Sequence, residues 1–294
     1  MPLKTFRDAM RDSDFVVTAQ LPLAPGTTAA DIRSFAEILQ SAVHALQISD
    51  NVSTQPHISP LAAASLALQA GTDPIVQMSC RDRNRIAMQS DLMGAAALGV
   101  TSLILTRGEK LPAAHRQRIK GVFDIGAQRL LATAQAISAN ERLIAAPGFF
   151  LGSNATVIDP PDGWATDGLD RKARAGSKFL QTQPCLHVPI LKKYMAALVA
   201  RKVLERMSVI VQVPLLQTPD MLRELQAARR PLLIPPDLAS RLEKAGDFAV
   251  EAEAICVEVL QALAAMPGVS GVNLVYRGDP ATVARVIVSA FGKQ

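Results

Sequence analysis

Polar side chains end several of the apolar runs in this chain, and their types suit the binding of a polar ligand. Carboxamides and hydroxyls hydrogen-bond such a ligand, arginine attracts its anionic groups, and a carboxyl group can transfer protons. Any one of these residues could simply solvate the end of a strand. Their joint placement instead indicates one shared site, whose members would be Ser49, Gln77, Arg107, Gly108, Glu109 and Gln183.

The stretch from Pro74 to Lys110 indicates how these residues are positioned. It reads as a short apolar strand, an amphipathic helix and a second apolar strand that ends in a charged turn. Such a unit places two parallel strands in one sheet with their carboxyl ends at the same edge. In a closed (β/α)8 barrel, those ends form the face where ligands bind.

The same alternation of strand and helix occurs about eight times along the chain. Besides the two strands of that unit, we predict strands at 15–22, 44–48, 143–150, 178–183, 208–214 and 269–275. No G-x-G-x-x-G fingerprint is present, which favours a barrel over an open dinucleotide-binding sheet. The sequence therefore predicts an α/β fold, a single (β/α)8 TIM barrel over residues 1–294, with a short polar segment at 1–14.

Composition narrows the class of protein. The chain is 49% hydrophobic and 19% charged, as expected of a globular protein, and its net charge of +5 mildly favours an anionic ligand. No basic run is dense enough for nucleic acid, and no apolar run is long enough to cross a membrane. Three cysteines without paired spacing favour a reducing compartment, so we expect a cytoplasmic protein and leave a homo-oligomer open.

Three segments carry a family resemblance: the Cys-Arg-Asp-Arg-Asn run at 80–84, Arg107 to Glu109, and Ala175 to Gln183. With them, the chain resembles the methylenetetrahydrofolate reductase family from about Phe15 to Phe291. The similarity is greatest to the bacterial branch that has such a run after its third strand. The resemblance implies an enzyme of folate one-carbon metabolism that binds FAD. It would transfer a hydride from NADH or NADPH to 5,10-methylenetetrahydrofolate, giving 5-methyltetrahydrofolate.

The resemblance also implies roles for individual residues. The residues that would contact FAD are Ser49, Gln77, Arg107, Gly108 and Lys172. Gln77 replaces a histidine that is frequent in the family, and a cation near the flavin edge would stabilise the anionic reduced ring. For the folate, the resemblance implies that the Gln183 amide pairs with the donor and acceptor atoms of the pterin.

Two residues depart from the family pattern. Gln20 stands in the first strand where the family has a glutamate that protonates the bridging nitrogen of the folate. An amide cannot deliver that proton near neutral pH. Glu109 stands where the family usually has an aspartate, and it would either hold the pterin or take over the missing acid's role. We therefore expect Gln20 and Glu109 to contact the folate and to determine catalysis, with the direction or the electron donor altered.

Other interpretations stay open. The missing acid also suits a tetrahydrofolate-binding methyl-transfer protein or a barrel without redox chemistry. Three arginines after the third strand would form either a solvated rim or a contact for a pyrophosphate: Arg81, Arg83 and Arg85. We predict no metal site, because the only candidate ligands lack the tight spacing of a zinc centre: Cys80, Cys185 and His187.

Overall fold

The computed structural model describes residues 3–51, 55–112, 119–140, 142, 148–227 and 234–292. Its sheet is a closed barrel in which each strand pairs in parallel with the next and the last pairs with the first. The strands are β1 (Val16–Gln20), β2 (Ala45–Ile48), β3 (Pro74–Ser79), β4 (Ser102–Thr106), β5 (Phe150–Ala155), β6 (Phe179–Thr182), β7 (Ser208–Pro214) and β8 (Gly271–Val275). The predicted (β/α)8 TIM barrel is confirmed.

Helices connect the strands and cover the outside of the barrel. They are α1 (Phe6–Asp12), which precedes the first strand, α2 (Ala29–Leu39), α3 (Pro60–Gln69), α4 (Arg85–Ala97), α5 (Ala127–Ser138), α6 (Asp167–Arg174), α7 (Val188–Ala200), α8 (Pro219–Ala227), α9 (Pro236–Glu243), α10 (Phe248–Ala264) and α11 (Pro280–Phe291). A 3-10 turn, Val203–Glu205, follows α7. Within the described ranges, no helix is long and apolar enough to cross a membrane.

Side chains alternate along each strand between the barrel interior and the helix layer, as the pleat of a strand requires. On β1, Val17 and Ala19 pack in the large core between sheet and helices, whereas Val16 belongs to a separate cluster inside the barrel. Thr18 and Gln20 share the face of Val16 and therefore also point inward. The same rule identifies the interior residues of the other seven strands.

Helix α1 closes the amino end of the barrel. Phe6 is fully buried, and its ring lies 5.8 Å from the ring of Phe150 and 5.2 Å from that of Phe179, measured between centroids. The Phe6 N–H donates to Oδ2 of buried Asp73 at 2.7 Å, which ties the start of the helix to the residue before β3. The segment predicted only to be polar thus contains a helix, α1, whose Phe6 fills the amino end of the barrel with an apolar ring.

The fifth strand lies further along the chain than predicted. Its described residues are Phe150–Ala155, and 143–147 of the predicted strand lie outside the described residues. We expected the strand to end near Gly152 because glycine, serine and asparagine have low strand propensity. A Cβ on Gly152 would lie only 2.2 Å from the ring of Phe179, so the missing side chain makes room for that ring. Packing overrides local propensity at this position.

Candidate functional site

The carboxyl half of the barrel interior is polar. One layer consists of five carboxamides that we call the amide cluster: Gln47, Gln77, Gln181, Gln212 and Asn273. Above it, at the mouth, lie the last inward-facing residues of six strands: Gln20, Ser49, Ser79, Thr106, Asn154 and Gln183. Because barrel interiors are usually filled by branched apolar side chains, these two layers indicate a ligand site.

Gln47 is the centre of the amide cluster. Its Oε1 accepts hydrogen bonds from Asn273 Nδ2 at 2.6 Å, Gln181 Nε2 at 2.7 Å and Gln212 Nε2 at 3.3 Å. Its Nε2 donates to Gln77 Oε1 at 3.2 Å. The central residue and two of its partners are buried, whereas Gln77 and Gln212 are partly exposed. Since α1 closes the opposite end, this exposure faces the mouth.

Two serine hydroxyls at the mouth are buried without a partner. Ser49 and Ser79 are 4% and 2% exposed, and the described residues offer neither Oγ atom a hydrogen bond. A buried polar group without a partner costs about 1–3 kcal/mol, so a ligand that hydrogen-bonds these hydroxyls would remove that cost. Ser49 is one of the residues predicted to contact a flavin. Ser79, two positions after Gln77 on β3, was not predicted.

Gln20 ends β1 with its side chain on the inward face. Gln20 is the register partner of Gln47 between β1 and β2, and it is partly exposed. No described residue hydrogen-bonds its amide. The structure therefore places Gln20 at the mouth, beside the amide cluster, where a bound ligand could contact it.

Lys172 and Gln183 approach the mouth from the side of β5 and β6. Lys172 Nζ donates to the carbonyl of Asn154, and burial lowers the pKa of the Lys172 ammonium group. Gln183 Oε1 accepts from the N–H of Val157 at 2.9 Å, and its Nε2 donates to the Val157 carbonyl at 3.2 Å. These two bonds fix the amide but leave it one N–H and one lone pair for a ligand.

The turn after β4 carries three of the predicted site residues. The guanidinium of exposed Arg107 lies 5.0 Å from the centre of the Phe123 ring. Gly108 has φ of +81°, and a Cβ there would lie 2.9 Å from Cβ of Arg81, so both backbone and packing require glycine. Glu109 is exposed, and no hydrogen bond or ion pair joins it to another described residue. Arg107 and Glu109 therefore lie on the outer rim.

Two ion pairs, each with one buried member, fix the loops that follow β2 and β3. Asp50 Oδ2 accepts from the Ser79 N–H at 2.7 Å and from Arg83 Nη1 at 2.8 Å. Arg81, only 5% exposed, donates from Nε and Nη2 to the two carboxylate oxygens of Asp82, each at 2.7 Å. The interpretation of Arg81 and Arg83 as a solvated rim is therefore wrong. Carboxylates already occupy two nitrogens of each guanidinium, so the geometry gives no particular support to a pyrophosphate contact either.

The cysteines show no sign of chemistry. All three are buried, and among the described residues none of them forms a disulfide. Burial raises the pKa of the Cys80 thiol to about 11 although nearby Arg107 acts in the opposite direction, so Cys80 stays protonated near neutral pH. Among the described residues, no group of three or more potential ligands could hold a metal ion.

The sequence analysis missed most of the lower layer. The structure brings the predicted residues Gln20, Ser49, Gln77 and Gln183 to the interior, but four members of the amide cluster were not predicted. A signal was present in the strand period, because Gln181 stands two positions before Gln183 and so lies beneath it on the same face. Gln47, the hydrogen-bond acceptor that Gln181, Gln212 and Asn273 share, could not be inferred without the register of the barrel.

Together, the fold and the polar mouth define a (β/α)8 barrel protein with a candidate ligand site at the carboxyl ends of its strands. A family model described as methylenetetrahydrofolate reductase matches residues 47–276, which is most of the chain. The protein belongs to this family.

A solved structure of similar fold covers 97% of this chain and 97% of its own, with a TM-score of 0.67. It is an uncharacterized protein from Clostridium thermocellum that binds two copies of 5-methyl-5,6,7,8-tetrahydrofolic acid. At 12% identity, the similarity establishes the fold alone. No curated protein matches this sequence.

Proposed function

We propose that this protein is a flavoprotein of folate one-carbon metabolism, located in the cytoplasm. It binds FAD and a tetrahydrofolate at the mouth of the barrel and interconverts 5,10-methylenetetrahydrofolate and 5-methyltetrahydrofolate by hydride transfer, with NADH or NADPH as the other electron carrier. The observation that carries the proposal is the buried hydroxyl of Ser49, which has no partner among the described residues and lies at the mouth above the amide cluster, in a chain of this family.

The residues present fit FAD. The Ser49 hydroxyl and the Gln77 amide are available to a polar ring edge, because one has no described partner and the other uses only its Oε1. Lys172 and Arg107 supply positive charge at the mouth and on the rim. A partly buried ammonium group attracts an anion more strongly than an exposed one, which suits Lys172 to the reduced flavin. FAD, when bound, would supply the hydride-carrying ring.

The folate would lie against the remaining mouth residues. Gln183 keeps one N–H and one lone pair beyond its bonds to Val157, which matches an edge with adjacent acceptor and donor atoms. Gln20 can hydrogen-bond the bridging nitrogen but cannot protonate it. Glu109 is exposed on the rim, so a role as the acid requires the turn to bring it inward. Because neither residue is placed to donate a proton to the folate, we expect the reduction of methylenetetrahydrofolate to be slow.

A second candidate is a tetrahydrofolate-binding protein without redox chemistry, including a methyl-transfer partner. The observation that favours it is Gln20. This residue stands at the mouth where the acid would be, but its amide side chain has no acidic proton to donate. The similar protein that binds two copies of 5-methyltetrahydrofolic acid adds support for folate binding.

One experiment separates the two candidates. The purified protein is examined for a flavin absorbance spectrum and titrated with FAD, and 5-methyltetrahydrofolate binding is measured by calorimetry with and without FAD. A yellow protein, or one that takes up FAD, supports the first candidate. A colourless protein that binds 5-methyltetrahydrofolate but no FAD supports the second. A protein that binds neither would refute both.

A further inference from the structure

We propose that the amide cluster is the recognition floor of this site, and that Gln47 orients Gln77 so that its N–H groups face the ligand. The inference rests on the proposed function only for the class of ligand, a heterocycle that carries ring carbonyl groups. Neither the family resemblance nor the comparisons assign Gln47 or Gln212 a role.

The polarity of the cluster follows from the hydrogen bonds around Gln47. Its Oε1 accepts from three amide nitrogens, so its Nε2 is the atom that faces Gln77. Gln77 accepts this hydrogen bond through its Oε1, at 3.2 Å. At the far side of the cluster, the hydroxyl of Thr18 lies 2.9 Å from Asn273 Oδ1, which agrees with Asn273 donating through Nδ2.

The direction of these hydrogen bonds determines which donors and acceptors the two partly exposed amides, Gln77 and Gln212, offer to a ligand. Gln77 uses its oxygen within the cluster and keeps both N–H donors for the mouth. Gln212 uses one N–H within the cluster and keeps its oxygen and a second N–H. The described residues offer no further partner to either amide. The floor thus displays two N–H donors at Gln77, and an acceptor beside an N–H donor at Gln212.

Burial separates the members that orient from the members that bind. Gln47 is 1% exposed and Asn273 is fully buried, so no ligand can touch them. Gln77 and Gln212 are partly exposed at the mouth, the end of the barrel opposite α1. The oxygen and the remaining N–H of Gln212 are an adjacent acceptor and donor, and such a pair matches the amide edge of a fused ring, which both a flavin and a pterin carry.

The test measures affinity for two probes, FAD and 5-methyltetrahydrofolate, by calorimetry. In Gln77→Met the donors are lost, and we expect binding of the probe that uses the floor to weaken about 10-fold. In Gln77→Glu a carboxylate would face a ring carbonyl, and we expect a loss of about 100-fold. A Glu variant that binds better than the Met variant would overturn the proposal, because it would mean that position 77 accepts a hydrogen bond from the ligand.

The role of Gln47 is tested through its coupling to Gln77. Gln47→Met should weaken binding about 3- to 10-fold in the wild-type background and have no further effect in Gln77→Met, as a double-mutant cycle detects. Ser153→Ala, which breaks a buried hydrogen bond to Ser177 on the outer side of the sheet, is the matched control for general loss of stability. An equal loss in both backgrounds would reduce Gln47 to a structural residue and overturn the proposal.

Failure of this inference is distinguishable from failure of the proposed function. A wild-type protein that binds FAD or the folate, with variants that fold and bind equally well, overturns the inference alone. A wild-type protein that binds neither probe overturns both. A loss seen for one probe only supports the inference and identifies which ring rests on the floor.

Discussion

Asp73 stands before β3 at the closed end of the barrel, and its carboxyl group makes stability depend on pH. Oδ2 accepts from the Phe6 N–H at 2.7 Å, Oδ1 has no partner among the described residues, and the residue is 1% exposed. Burial raises the pKa of Asp73 from 3.8 to about 6, with a smaller contribution from the negative charge of Asp8. The Phe6 hydrogen bond acts in the opposite direction.

The sign of the effect follows from proton binding. Between the two pKa values, the folded protein holds a proton that the unfolded chain has released, so the free energy of unfolding falls as pH rises through this window. The difference between 3.8 and about 6 corresponds to about 3 kcal/mol over the whole window. About 2 kcal/mol of this falls between about pH 4.5 and about pH 7.5.

Asp73→Asn removes the titrating group and can keep an acceptor for the Phe6 N–H. We expect the free energy of unfolding of the variant, relative to wild type, to increase by about 2 kcal/mol from about pH 4.5 to about pH 7.5. Urea denaturation at both pH values measures it, and Asp162→Asn, on an exposed loop, is the control. A difference between variant and wild type that does not change with pH would refute this reasoning.

Three further outcomes are expected. Arg83→Met leaves the carboxylate of Asp50 buried without its cation, so the free energy of unfolding should fall by about 3–5 kcal/mol in denaturant; an unchanged midpoint would contradict this. Lys172→Ala should weaken FAD binding about 10- to 100-fold in a fluorescence titration, whereas Lys178→Ala, at the amino end of β6, should not; equal affinities would remove Lys172 from the site. Gln20→Glu should accelerate oxidation of the reduced flavin by methylenetetrahydrofolate about 10²- to 10⁴-fold in stopped flow; a loss of rate would show that the acid lies elsewhere.

Much of the barrel could be predicted because its signals are local. The bounds of β7 agree with the sequence prediction, since this strand has a clear apolar run and ends at a proline. Helix α1 was not predicted, because its seven residues contain only Phe6, Ala9 and Met10 as apolar positions. Its burial depends on the rings of β5 and β6, which are distant in sequence.

The site residues also divide into those with a local signal in the sequence and those whose partners are distant in sequence. Ser49, Gln77 and Gln183 could be placed at the mouth because each stands at or near the end of an apolar strand. The hydrogen bonds of Gln47 join residues as far apart in sequence as position 273, and no local pattern predicts them. The role of Arg83 was also missed, since its partner Asp50 lies on the neighbouring loop. Charged residues after a strand look alike in sequence whether they are solvated or paired.

We propose that a flavin and a folate exchange a hydride at this mouth. The most direct measurement loads the protein with FAD, excludes oxygen and mixes it with 5-methyltetrahydrofolate while the visible flavin band is followed. We expect the band to bleach, with Glu109→Gln slower than wild type if the turn after β4 reaches the folate. A flavin band that stays unchanged while calorimetry shows the folate bound would contradict hydride transfer and leave a folate-binding barrel without redox chemistry.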